Sequence, residues 1–255
     1  NVVKTYYHKW KLPMRPVATF FIVILILVST INIIAAAESW YIDEVELKAL
    51  EIEEKVIGWR RQIHQNPELG NREFETAALV AQHLQALNFD VVQTQVAHTG
   101  VVGILHGRLP GVVVALRADM DALPVTEETG LPYASTVRTT YNGQDVGVMH
   151  ACGHDAHVAI LMGVAEILSS MRDHIPGSVK FIFQPAEEGP PEGEDGGAVL
   201  MVAEGVLQNP VPAAIFGLHI GTRDLNTLHY GIGPTHASAD VLKIHVKGKQ
   251  THAAS

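Results

Sequence analysis

The residues with the greatest capacity for chemistry lie in the stretch M-H-A-C-G-H-D-A-H at positions 149–157. This stretch holds Cys152, the only cysteine of the chain, together with His150, His154 and His157. Thiolate, imidazole and carboxylate groups are the ligands that proteins offer to Zn²⁺ and similar ions. An apolar run follows directly and indicates a packed helix, so the motif lies at the start of a helix, where side chains can converge on a ligand.

Three further polar clusters each follow a predicted strand. They are R-A-D-M-D at 117–121, Q-P-A-E-E-G at 184–189 and G-L-H at 217–219. In an open α/β sheet, ligands bind beyond the carboxyl ends of the strands. Taken singly, each cluster has a structural interpretation, such as a turn cap, a solvated acidic pair or a core histidine. Taken together, at one edge of one sheet, they favour a metal site.

Hydrophobic periodicity predicts helices that alternate with short strands. The predicted helices cover 41–65, 73–87, 156–171 and 198–206. The predicted strands cover 91–96, 101–105, 112–116, 179–183 and 213–218. This order predicts an α/β fold with a mixed, mostly parallel sheet and helices on both faces. The strand at 112–116 is apolar throughout, which is typical of a strand buried on both faces.

The pattern changes after Gly221, where strands are expected at 227–230 and 239–246 with no helix between them. We therefore expect an incomplete catalytic domain at 38–233 and the beginning of a smaller, truncated α+β lid or dimerisation domain at 234–255. The glycine- and proline-rich acidic stretch 189–197 is predicted to be a mobile surface loop.

The N-terminal part has the features of a targeting segment. Arg15 precedes an uncharged run at 17–34, and three alanines follow before Glu38. A basic start, an apolar stretch and small residues at its end are typical of a secretory signal. We expect residues 1–13 to be an upstream segment and 14–37 a signal peptide of an exported, periplasmic or secreted protein. The apolar run is also long enough to remain as a membrane anchor.

The composition narrows the possible partners and the fold class. The chain has 255 residues, 47% of them hydrophobic, which is enough for one large domain or two smaller ones. Its formal net charge of -9 disfavours nucleic acid or an anionic membrane surface as a partner. A single cysteine excludes an intramolecular disulfide.

The clusters in combination resemble a known group, the metallopeptidase and aminoacylase superfamily that includes carboxypeptidase G. The closer similarity is to its amidohydrolase branch, with hippurate hydrolases and auxin–amino acid conjugate hydrolases. The similarity covers about residues 54–255. The matching segments are I-G-W-R-R-Q-I-H-Q-N-P-E-L-G, L-R-A-D-M-D-A-L-P, M-H-A-C-G-H-D-A-H, F-Q-P-A-E-E-G, G-L-H and G-K-Q-T-H-A-A.

This resemblance implies a site with two divalent metal ions. Cys152 would bridge the ions, and His154, Glu188 and His219 would be further ligands. Zn²⁺ is the expected metal, with Mn²⁺ or Co²⁺ as alternatives. The family's last histidine ligand lies beyond the end of this sequence, so the short chain is expected to be incomplete as an enzyme.

The same resemblance implies three roles in the reaction. Glu187 would be the general base that activates water, and Asp121 would fix the site. His252 would polarise the substrate carbonyl, often in the partner subunit's site of a homodimer. The sequence reads G-K-Q-T-H around His252, where glycine-rich versions are usual.

The implied reaction is hydrolysis of the amide bond of N-acyl or aryl-acyl amino acids to a carboxylic acid and a free amino acid. A dipeptidase or carboxypeptidase on the same scaffold is one alternative. A cysteine hydrolase with Cys152 as nucleophile and His150 or His154 as base is another. A non-catalytic metal- or peptide-binding homologue is a third, and Glu187 argues against it because binding alone needs no base.

Overall fold

The computed structural model describes residues 17–222, 224–225, 227–234, 244 and 247, with side chains described from residue 40 onward. In that part of the chain the helices are α1 (Val17–Gln65), α2 (Phe74–Ala86), α3 (His154–Ser170) and α4 (Gly197–Ala203). The strands are β1 (Val91–Val96), β2 (Gly100–His106), β3 (Leu109–Asp119), β4 (Arg138–Tyr141), β5 (Gln144–Gly147), β6 (Pro176–Gln184) and β7 (Ala214–Gly217).

Five strands form one sheet in the order β1-β2-β6-β3-β7. β3 pairs in parallel with both β6 and β7, whereas β2 is antiparallel to both β1 and β6. Four of the five strands therefore point the same way, with β2 reversed. The predicted α/β class with a mixed, mostly parallel sheet is confirmed.

The two faces of the sheet are covered by different helices, because side chains alternate along each strand. On β6, Phe181 and Phe183 join a buried core with residues of α1, α2 and α3. The intervening Ile182 joins a second core that includes Met201 of α4. The buried Lys180 points to this second face and donates from Nζ to the backbone carbonyls that follow α4.

The strand predicted at 112–116 is longer than expected and only partly buried. Val112 is 64% exposed, whereas Ala115 is fully buried. The expectation that this strand is buried on both faces is therefore wrong for its first residues. The reason is that β3 pairs with β7 only from Val114 onward, so its beginning has no neighbour on that side in the described sheet.

The hairpin of β4 and β5 was not predicted. Its two turn residues, Asn142 and Gly143, have φ angles of 50° and 78°. An Asn-Gly pair between two short runs is the strongest local signal for such a turn, because both positions require positive φ. The signal was present in the sequence, but the flanking strands are exposed and only four residues long.

Helix α1 begins well before the predicted start at residue 41 and packs along α3. Gly163 of α3 allows the close approach, since a Cβ there would lie 2.9 Å from the side chain of Val56. Lys55 and Glu166 form an ion pair across the same interface at 2.6 Å. Among the residues whose side chains the structure describes, from residue 40 onward, no helix is long and apolar enough to cross a membrane.

Contacts divide the chain into a first unit that ends at Ile220 and a second unit, Gly221–Ser255. In the second unit, the strand predicted at 227–230 is wrong: these residues form no strand and are exposed. A strand needs a partner for its backbone groups, and the expected neighbour at 239–246 lies outside the described residues apart from position 244.

Candidate metal centre

The carboxyl ends of three neighbouring strands bring polar side chains to one edge of the sheet. β3 ends at Asp119 and β6 ends at Gln184, and these two residues are partners in the parallel register. His219 comes two residues after the end of β7. The Cys152 segment reaches the same edge, because Cys152, His154 and His219 place ligand atoms within 4.8 Å of one another. All four sequence clusters therefore meet at this edge.

Gly153 makes the approach of the Cys152 segment possible. Its φ of 83° lies in the left-handed region, directly before the first residue of α3. A Cβ at this position would lie 2.2 Å from Cδ1 of Ile220. Any other residue would strain the backbone and also push the two segments apart, so glycine is required on both counts.

His154, the first residue of α3, is fully buried at the centre of the cluster. Its Nδ1 lies 3.2 Å from Oδ1 of Asp121. Its Nε2 has no hydrogen-bond partner in the described structure, yet carboxylate oxygens of Asp119, Glu187 and Glu188 lie 3.7–3.9 Å away. Burial lowers the pKa of His154, but the hydrogen bond with Asp121 and the nearby carboxylate charges outweigh it and raise the pKa.

Cys152 and His219 face each other at one side of this cluster. The Sγ–Nε2 distance is 3.5 Å, and Nδ1 of His219 lies 2.6 Å from the carbonyl oxygen of Ile220. Since a carbonyl only accepts, Nδ1 carries the proton and Nε2 presents its lone pair toward the cluster. Burial, followed by the hydrogen bond and charge of Glu188, raises the pKa of the Cys152 thiol to about 12.

The raised pKa of Cys152 bears on the cysteine-hydrolase alternative. A catalytic cysteine is normally activated by an electropositive setting that lowers its pKa. Here the surrounding carboxylates raise the pKa of Cys152. His150, one proposed base, is buried, and burial lowers its pKa to about 4. The setting of Cys152 suits a metal ligand better than a nucleophile.

Asp121 connects the Cys152 segment to the two glutamates. One carboxylate oxygen faces His154, and the other accepts the backbone N–H of Glu188 at 2.9 Å. Glu187 and Glu188 follow β6 on a turn, and each places an oxygen within 4.8 Å of a ligand atom of His154. The side chain of Glu187 is 40% exposed and that of Glu188 is 27% exposed. Glu187 is thus the more open to solvent and substrate.

Asp119 and His157 form a supporting pair that the sequence did not define. His157 lies one turn after His154 in α3, and its side chain is buried. Its Nδ1 lies 2.6 Å from Oδ1 of Asp119, whose Oδ2 accepts from Arg117 at 2.6 Å. Burial raises the pKa of Asp119, but the hydrogen bond from His157 and the charge of Arg117 outweigh it and lower the pKa to about 2. The spacing of His154 and His157 by three residues was the available signal, since such residues share one helix face.

A second buried polar network lies behind the Cys152 segment and was also not predicted. His64 of α1 contacts Asp155 at 2.8 Å and Glu127 at 3.1 Å. Arg60 also reaches Asp155 at 2.8 Å. These contacts fix the first turn of α3 against α1. Residues 60–64 belong to one of the segments that carry the family resemblance, but the resemblance gave them no role. No local sequence pattern indicated that they would contact Asp155.

The donor set fits divalent cations. An imidazole nitrogen without a partner lies fully buried among carboxylates and a thiol, and a cation would give it a partner and offset the negative charge. Thiolate, imidazole and carboxylate are the usual ligands of Zn²⁺. His252, the remaining predicted site residue, lies outside the described residues.

A mostly parallel sheet with thiol, imidazole and carboxylate groups at its carboxyl edge defines an α/β protein with a candidate metal centre. Comparison with known proteins is more specific: residues 115–253 match the model of Peptidase family M20/M25/M40. The match covers more than half of the chain. The chain belongs to this family, and the predicted superfamily is confirmed.

Similar proteins include both amidohydrolases and peptidases. Thermostable carboxypeptidase 2 of Saccharolobus solfataricus is 42% identical over 215 residues, which are 84% of this chain and 51% of that protein. An N-acyl-L-amino acid amidohydrolase of Geobacillus stearothermophilus is 40% identical over 214 residues, 83% of this chain and 54% of that protein. The chain thus spans about half the length of these curated relatives.

A solved structure shares the fold. It is the YXEP protein of Bacillus subtilis, described as a dinuclear metal-binding peptidase of the M20 family. The sequence identity is 41% and the TM-score is 0.57, with 66% of this chain and 43% of that chain covered.

Proposed function

We propose that the full-length protein hydrolyses the amide bond of N-acyl or aryl-acyl amino acids in a metal-dependent reaction. The observation that carries this proposal is the buried, unpartnered Nε2 of His154, surrounded by carboxylates of which Glu187 is the most accessible. The amidohydrolase and carboxypeptidase among its relatives support an amide as the substrate.

Two divalent cations per site are part of this proposal, supported by the dinuclear relative of known structure. Cys152, His154, Glu188 and His219 would hold them. When bound, such cations polarise an amide carbonyl and lower the pKa of a water molecule. Zn²⁺ is the proposed metal because thiolate and imidazole ligands suit it, and Mn²⁺ or Co²⁺ are the alternatives.

Glu187 is proposed to take a proton from the attacking water and deliver it to the leaving nitrogen. Its neighbour Glu188 is held by the hydrogen bond from its backbone to Asp121, so the two adjacent carboxylates can divide the tasks of base and ligand. Asp121 orients His154 by contact with Nδ1, which leaves the lone pair of Nε2 free to bind a cation. From the resemblance alone, His252 is proposed to polarise the substrate carbonyl.

The decisive experiment assays purified full-length protein on hippurate-like amides and on plain dipeptides, with and without a chelator. Hydrolysis of acyl amino acids that a chelator abolishes and Zn²⁺ or Mn²⁺ restores would support the proposal. Preference for dipeptides or for peptides with a free C-terminus would favour the peptidase alternative, which the carboxypeptidase relative makes the second candidate. Activity that survives chelation and is lost on alkylation would instead support a cysteine hydrolase.

Three further proposals rest on the sequence and the resemblance. The protein is exported, either with residues 14–37 cleaved as a signal or with 17–34 kept as an anchor. The region 234–255 begins a lid or dimerisation domain, and the full-length protein is a homodimer. Size-exclusion chromatography with light scattering and N-terminal sequencing of the mature protein test these proposals.

A further inference from the structure

The turn between α1 and α2, residues 70–73, packs against the segment that carries Glu187 and Glu188. Gly70 lies so close that a Cβ there would come within 2.9 Å of the carbonyl oxygen of Gly189 and 3.1 Å of Ala186. The two segments are more than a hundred positions apart in the sequence, so the contact is a product of the fold.

Glu73, the last residue of this turn, is buried and accepts two hydrogen bonds. Its side chain is fully buried, Oε1 accepts the backbone N–H of Ala186 at 2.8 Å, and Oε2 accepts the hydroxyl of Thr99 at 2.5 Å. Ala186 immediately precedes Glu187 and has a φ of 47°, an unusual conformation for a residue with a side chain. The Glu73 carboxylate therefore satisfies the amide at the point where the chain turns toward Glu187.

Asn71 and Arg72 of the same turn hold the later part of this segment, at Glu194 and Asp195. Nδ2 of Asn71 donates to the carbonyl oxygen of Asp195 at 3.0 Å. The guanidinium of Arg72 donates to both carboxylate oxygens of Glu194, at 3.0 and 2.5 Å. The stretch 189–197 was expected to be a mobile surface loop, but these contacts anchor it.

Glu73 does not cap the helix that follows it. It occupies the position before α2, yet its side chain makes no capping hydrogen bond. The carboxylate of Glu68 receives the backbone N–H groups of Glu75 and Thr76 instead. Burying an ionisable side chain costs free energy unless hydrogen bonds compensate for the lost water. Here hydrogen bonds to the Glu73 carboxylate come from Thr99 and from Ala186, the residue before Glu187.

We propose that Glu73 is a positioning residue that holds Glu187 through its hydrogen bond with the backbone of Ala186. This inference rests on the proposed function, since it takes Glu187 to be the general base. It also makes a prediction about local structure that holds whatever the substrate.

The test compares three variants of the full-length protein. Glu73→Leu keeps most of the volume but removes the acceptor for the Ala186 amide. Glu73→Gln keeps an acceptor oxygen for that amide and an NH₂ group for the Thr99 hydroxyl. Val80→Ala is the stability control, because Val80 is fully buried in α2 and belongs to the core away from the segment.

We expect Glu73→Leu to lower kcat about 100-fold with a change in KM below about threefold, because a small misplacement of a catalytic group lowers turnover sharply. Glu73→Gln should keep kcat within about threefold of the wild type by the same reasoning. Hydrogen exchange should be faster across residues 184–195 in Glu73→Leu, and unchanged there in Val80→Ala. The Zn²⁺ content of Glu73→Leu should equal that of the wild type.

Any one of three results would overturn the proposal. Glu73→Leu could show the kcat and hydrogen exchange of the wild type, or it could lose no more kcat than Val80→Ala when the two variants have equal unfolding midpoints. The third such result is an inactive Glu73→Gln variant. If Glu73→Leu does not fold, Thr99→Val removes the hydroxyl that holds Oε2 and should change kcat and exchange in the same direction, to a smaller extent. If the wild-type protein hydrolyses no amide, the proposed function fails while hydrogen exchange still tests the contact.

Discussion

The backbone N–H of Ile220 donates to Nε2 of His157 at 2.9 Å and ties the residue after His219 to helix α3. An N–H group can only donate, so Nε2 of His157 carries the lone pair and Nδ1 carries the proton. That proton is donated to Asp119 at 2.6 Å. Both ring nitrogens of His157 are therefore engaged, and it supports the position of His219 rather than acting as a ligand itself.

The first prediction follows from this contact. His157→Phe should keep the ring volume but free the Ile220 amide and Asp119, so that His219 is less well placed. We expect Zn²⁺ affinity of the full-length protein to fall by about 10–100-fold, the usual effect of losing a group that orients a ligand. Isothermal titration with Zn²⁺ measures the change. The matched control is His106→Phe, because His106 bonds Ser178 at the opposite edge of the sheet. Equal affinity in His157→Phe and wild type would contradict the prediction.

The second prediction separates the two adjacent glutamates. Glu187→Gln should lower turnover by about 10²–10⁴-fold, typical for loss of a general base, and leave metal content nearly unchanged. Glu188→Gln should lower metal content along with activity. Elemental analysis after dialysis, combined with steady-state kinetics, distinguishes the two variants. If the Glu187 variant loses its metal and the Glu188 variant retains it, the two roles are reversed.

The third prediction concerns the protons released when metal binds. Burial and nearby carboxylates raise the pKa of Cys152 to about 12 in the metal-free protein, so its thiol is protonated at pH 8. Metal coordination requires the thiolate, and binding should release about one proton from this residue. Calorimetric titration with Zn²⁺ in buffers of different ionisation enthalpy counts the protons. Cys152→Ala should release about one proton fewer than the wild type at the same pH. An unchanged count would remove Cys152 from the ligand set.

The sequence predicted the elements that a regular hydrophobic pattern can define. The strand at 91–96 has the predicted ends, and α3 begins two residues before its predicted start. The meeting of the Cys152 cluster with residues 187–188 and His219 was also expected, because carboxyl ends of parallel strands share one edge. These inferences need only the order of the elements and the direction of the strands.

The supporting contacts could not be predicted in the same way. Glu73 meets Ala186 across 113 positions, and His64 meets Asp155 across 91. Whether two polar side chains meet over such distances depends on strand register and on how closely helices approach. A glutamate directly before a helix resembles in sequence an ordinary acidic residue at a helix start, because the helix dipole favours negative charge there.

The last prediction concerns the pH dependence of stability. Burial raises the pKa of Glu73 from 4.5 to about 7; hydrogen bonds from Thr99 and Ala186 act against this rise, and the charge of Asp121 adds to it. The folded state therefore holds this proton over a pH range in which the unfolded chain has lost it. The stability contributed by protonated Glu73 is complete below pH 4.5 and is lost as the pH rises through about 7.

Glu73→Gln, which cannot ionise, should lack this component. The difference in unfolding free energy between the variant and the wild type should grow between pH 5 and pH 8, in favour of the variant. It should approach about 3 kcal/mol, since one pKa unit corresponds to about 1.4 kcal/mol. Urea unfolding of both proteins at several pH values measures it, and the contributions of titrating groups that both proteins share cancel in the difference. Parallel pH profiles for the two proteins would show that Glu73 titrates alike in the folded and unfolded states.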